Sequence, residues 1–117
     1  GETFNKRGKT YILLKYAEDG TNLFVGECKI GRGEKIFIDT INQLCRYLTW
    51  QDSKAEILIF IRNENIEQVK IKTKKIIRTH PNFVKALNES GDSFAYIINL
   101  YEKNIEVNLE IIFFHFL

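Results

Sequence analysis

The run Glu56-Ile57-Leu58-Ile59-Phe60-Ile61 places five consecutive apolar residues after one acid. It is too short for a helix and too continuously apolar for an edge with one wet face. It therefore predicts a strand covered on both faces, at the centre of a sheet. Such a strand obliges the rest of the chain to supply neighbours and covering helices. Upstream, Ile38, Ile41, Leu44, Cys45 and Leu48 recur at three- and four-residue intervals, predicting a helix over 34–50. Downstream, Asn63 offers a cap, and Ile66, Val69, Thr73, Ile76, Ile77 and His80 keep helical spacing. The only proline, Pro81, ends this second helix or starts a short extra turn through Leu87.

Two hairpins flank this middle. Residues 10–16 and 23–30 are apolar and aromatic around Glu18-Asp19-Gly20-Thr21-Asn22, and Gly31-Arg32-Gly33 breaks the second strand. After the loop Asn88-Glu89-Ser90-Gly91-Asp92, residues 94–101 and 105–116 form two strands joined through Glu102-Lys103-Asn104. The order is β-β-α-β-α-β-β. It implies an α/β fold, read as a three-layer mixed β-sheet with helices on its faces.

At 117 residues and 44% hydrophobic, the chain suits one domain over 1–117 with a core of its own. It has no methionine and opens at Gly1 in mid-protein style, so it is expected to be a fragment of a longer protein. A net charge of +2 from 17 basic and 15 acidic residues excludes a strongly basic nucleic-acid binder, so any DNA contact must be local. No apolar run is long enough to span a membrane, and a cytoplasmic location is expected. Cys28 and Cys45 lack metal-ligand spacing and read as buried thiols in a reducing compartment.

The feature that suggests chemistry is Glu27-Cys28-Lys29 inside the second strand. Strand alternation puts Glu27 and Lys29 on one face with Val25, and Phe24, Gly26, Cys28 and Ile30 on the other. A carboxylate and an ammonium in an apolar run are costly unless they pair, bind a metal or face a wet cleft. The bland alternative is a solvated sheet edge. The following helix places Asp39, Gln43 and Tyr47 four residues apart along one stripe. The expectation is a pocket into which Glu27 and Lys29 project, roofed by that stripe.

These elements, Glu27-Cys28-Lys29 and Gln43-Leu44-Cys45-Arg46-Tyr47, resemble the restriction-endonuclease-like superfamily with its PD-(D/E)XK signature. The resemblance is narrower to the branch carrying Gln-x-x-x-Tyr on the next helix. Together with Phe24-Val25-Gly26 and Gly33-Glu34-Lys35, the set also looks like a group of uncharacterised bacterial nuclease-like domains, over roughly residues 8–61. The resemblance implies a restriction-endonuclease-like core lacking its first helix, and a Mg2+-dependent DNA endonuclease, with Mn2+ as substitute. Glu27 would then hold a hard divalent ion and its water against the phosphate, and Lys29 would orient that water or offset phosphoryl charge. Gln43 and Tyr47 would contact and position DNA.

One position departs from the pattern. The family carries an Asp on the preceding strand within Gly-x-x-Asp, and the matching frame Gly8-Lys9-Thr10-Tyr11 has Tyr11 there. A phenol is a poor Mg2+ ligand at neutral pH. Asp19 lies eight residues further on, on the order of 25 Å along a strand, and cannot substitute. Asp39 is the better source of a second metal ligand, its plain alternative being a helix-stabilising acid.

Arg32 and Lys35 flank a glycine-bounded helix start and are candidate phosphate contacts, or ordinary turn residues. The basic run Lys70, Lys72, Lys74, Lys75 and Arg78 follows acids along its helix, as the macrodipole favours, and reads as a solvated face. His80 and His115 lack zinc-ligand partners. The apolar final hairpin offers a core layer or a homodimer surface. Three functions compete: a DNA nuclease, a nuclease-like domain that has lost cleavage and binds nucleic acid or protein, and a partner-binding module without nucleic acid.

Overall fold

The computed structural model describes residues 2–4, 12–16, 22–27, 33–48, 54–62 and 64–116. In chain order the elements are β1 (Glu2–Phe4), β2 (Ile12–Tyr16), β3 (Asn22–Glu27), α1 (Gly33–Tyr47), β4 (Lys54–Arg62), α2 (Ile66–Thr79), β5 (Phe83–Asn88), β6 (Ser93–Leu100) and β7 (Ile105–Phe116). The strands form one mixed sheet in the order β1-β2-β3-β4-β7-β6-β5. β4 holds the central place that its apolar run predicts. It lies parallel to β3 on one side and to β7 on the other, and the outer strands pair antiparallel. The fold is mixed α/β.

The sheet's two faces differ. On β4, Ala55, Ile57, Ile59 and Ile61 are buried, as are Val107, Leu109, Ile111 and Phe113 on β7 and Phe94, Tyr96, Ile98 and Leu100 on β6. They share one core with Phe37, Ile41 and Leu44 of α1, with Leu48 just after it, and with Val69, Ile76 and Ile77 of α2. The two helices also contact each other, so both lie on this face. The alternate residues Glu56, Leu58 and Phe60 of β4, and Asn108, Glu110 and Ile112 of β7, are only half-buried. Among the described residues the architecture is thus one helical layer on one sheet. The expected second helical layer is not seen among them, because both helical crossovers return over the same face.

Local chemistry sets the boundaries. Helix α2 is capped by Asn65, whose side chain accepts from the amides of Glu67 and Gln68, two residues later than the Asn63 cap expected. At its far end His80 is extended with ψ 139, as a residue before proline must be. The chain then enters β5, a strand where the sequence suggested a helical turn through Leu87. Asn104 takes a left-handed conformation, φ 54, to turn the short 3-10 segment Tyr101–Lys103 into β7.

The basic run of α2 does more than sit in water. Lys70, Lys74 and Arg78, four apart, lie 5.9, 5.5 and 5.8 Å from the ring centroids of Phe113, Phe94 and Phe83. Lys70 also pairs with Asp92 at 2.8 Å, and Arg78 Nε donates to Glu89 at 3.0 Å. The Arg78 guanidinium, then the Tyr96 hydroxyl that donates at 2.8 Å, hold Glu89 below the usual carboxylate range against the opposing effect of burial. This stripe fastens α2 to the sheet.

Candidate nucleic-acid interface at the carboxyl end of the parallel strands

Strands β3, β4 and β7 run parallel as neighbours, so their carboxyl ends share one end of the sheet. Ligands of open α/β sheets sit outside such ends. Glu27 is the terminal residue of β3, and α1 opens at Gly33 just beyond it, with Lys35 exposed in the first turn. The candidate acid therefore stands at a place suited to a phosphate. Lys29, Tyr11 and Arg32 lie outside the described residues.

Register fixes the face. Glu27 pairs with Phe60, Val25 with Leu58 and Leu23 with Glu56, while Phe24 and Gly26 pair with Ile57 and Ile59. Position 27 is thus in register with Phe60, whose row of Leu58, Phe60, Ile112 and Phe114 lies on the face away from both helices. There the rings of Phe60 and Phe114 stack with centroids 5.2 Å apart. Asp39 is exposed on the outer side of α1, about half a turn of the helix away from buried Phe37, Ile41 and Leu44.

Gln43 lies half-buried on a flank of α1, and its Oε1 is buried without a hydrogen-bond partner. A buried acceptor left open is costly. Tyr47, one turn later, is the last residue of α1. The opposite flank faces α2: Asn42 Oδ1 lies 2.8 Å from His80 Nε2. Cys45, half-buried, has its thiol pushed up to about 11, chiefly by burial, and is not a nucleophile at neutral pH. The second predicted thiol, Cys28, lies outside the described residues.

Sequence reasoning passed over Glu64. It follows β4 at the same sheet end as Glu27, and its Oε2 is buried with no hydrogen-bond partner. The available signal was an acid directly after the central strand and before a helix cap. Among the described residues, no three His, Cys, Asp or Glu side chains come together as a metal site. The described residues therefore fit Mg2+ incompletely, offering one family-matched carboxylate position where the resemblance implies two.

In the C-terminal hairpin β7 is paired to β4 and β6, and β6 to β7 and β5. No helix among the described residues is long and apolar enough to cross a membrane. Comparison with protein-family models, with curated proteins and with solved structures gives no match.

Proposed function

We propose that this chain is a restriction-endonuclease-like, PD-(D/E)XK-type domain that works on DNA in the cytoplasm, with phosphodiester cleavage impaired at Tyr11. The observation that carries the reading is Glu27 at the carboxyl end of β3, at the mouth of the β3–α1 connection and beside the end of central β4. DNA phosphate would meet Lys35, Arg32 and the amides opening α1, while Gln43 and Tyr47 position the strand. Glu27 would be the residue to hold Mg2+, and the ion would supply Lewis-acid chemistry at the phosphate. Lys29 would offset the charge that builds on the phosphoryl oxygens. The three-layer core of this family implies a further layer over the half-buried face that carries Leu58 and Ile112.

The second reading, binding without hydrolysis, is favoured by Tyr11, where a metal-binding acid is expected. Plasmid nicking with Mg2+ or Mn2+ tests both. Nicking by the chain that is lost in Glu27→Ala supports the nuclease. No nicking, with DNA retention that weakens in Lys35→Ala and nicking that appears in Tyr11→Asp, supports the binding domain. Neither nicking nor DNA retention removes the proposal, and nicking that survives Glu27→Ala removes Glu27 from it.

A further inference from the structure

We propose that His80 is a pH-responsive latch that holds α1 against the end of α2 and the start of β5, and that protonation of its ring releases this seam. The inference is independent of the DNA reading. His80 is 9% exposed, and each ring nitrogen has one partner. The Asn82 amide donates to Nδ1 at 3.1 Å, so Nδ1 must be unprotonated, and the neutral ring then carries its hydrogen on Nε2. That hydrogen points to Asn42 Oδ1 at 2.8 Å, across 38 residues of sequence. Both bonds are satisfied only by the neutral imidazole.

A second proton on Nδ1 would set N–H against N–H. Asn82 cannot swing away freely, because its side-chain amide donates to Asn99 O at 2.6 Å and its carbonyl accepts from Asn99 N at 2.7 Å. His80 O also accepts from Phe83 N at 3.1 Å, at the start of β5. One ring therefore couples α1, the end of α2, β5 and β6.

Among the described residues, the partners of the ring nitrogens are a neutral amide and a backbone N–H. From α1 the ring meets the neutral Asn42, with Asp39 and Arg46 a turn away on that helix; from its own helix the nearest charge, Arg78, is held by Glu89. From the β6–β7 turn, Glu102 and Lys103 share a cleft of about 540 Å3 with Asn82, and Lys103 is turned to the carbonyls of α1. Burial alone lowers the ring's affinity for a proton.

The test is NMR on the full chain from pH 8 to pH 5. The expected result is an Nε2–H tautomer titrating below the ordinary histidine value. Amide protection at 42–48 and 80–83 should fall by up to about tenfold per pH unit between the ordinary histidine value and that lower midpoint and level off below it, while β4 and β7 keep theirs. Asn42→Asp should raise the midpoint, and His80→Gln should make protection of the seam independent of pH. A ring that titrates as an exposed histidine, or protection that falls equally in β4, overturns the latch.

Discussion

The two faces of the sheet carry different tasks, although the same strands build both. On the helix-covered face, β4, β6 and β7 contribute twelve buried residues to a single core with α1 and α2. On the other face, the same strands show half-buried Glu56, Leu58, Ser93, Asn99, Asn108 and Glu110. Stability therefore resides on one side. The candidate acid Glu27 lies in register with the other, where a polar group is less costly.

The sharpest way to break this comparison is a matched pair of truncations. Ile57→Ala should cost about 2–5 kcal/mol in denaturant unfolding, and its neighbour Leu58→Ala about half of that or less. Equal losses would mean that the second face is as tightly packed as the first. A smaller effect is expected at the strap of the covering layer. Lys103 Nζ donates to the carbonyls of Cys45, Arg46 and Leu48, at the end of α1. Lys103→Met should cost about 1–3 kcal/mol and fray that end first, as read by amide exchange.

Acid should weaken the same layer. His80 is lowered by burial, so below its unfolded value near 6.5 the unfolded chain takes up the proton and the folded chain resists it. Stability should be flat above that pH and fall as pH drops through it, by at most about 1.4 kcal/mol per unit from this group. His80→Gln should flatten that part of the curve. The smallest effect belongs to Ile71, exposed on the outer side of α2: Ile71→Lys should move stability by less than about 0.5 kcal/mol. A larger loss would show that something covers this helix from outside.

Much of the fold was legible because its signals are local. The continuous apolar run announced β4 and its central place, and three- and four-residue spacing announced α1 and α2. β5 was not legible, for a physical reason. Its register shifts between Phe83 and Lys85 and again between Ala86 and Asn88, so Phe83 and Ala86 turn inward three residues apart. Two bulges thus give a strand the spacing of a helix. The candidate site was partly legible. The register of β3 on β4 alternates as strand geometry predicts, positions 25 and 27 pairing with Leu58 and Phe60, and positions 24 and 26 with Ile57 and Ile59. Glu64 escaped because burial of a single oxygen in a loop leaves no periodic trace.

β7 sits between β4 and β6, yet it follows both in the chain, and β4 precedes it by more than forty residues. On a ribosome, the emerging polypeptide would have β4 and α2 in hand with a vacancy beside them until residues 105–116 were made. The sheet must therefore close by insertion of a late strand into its middle, not by growth at a rim. Loss of that segment would leave β4 and β6 without the strand that pairs with both. Compactness here should appear all at once, and late.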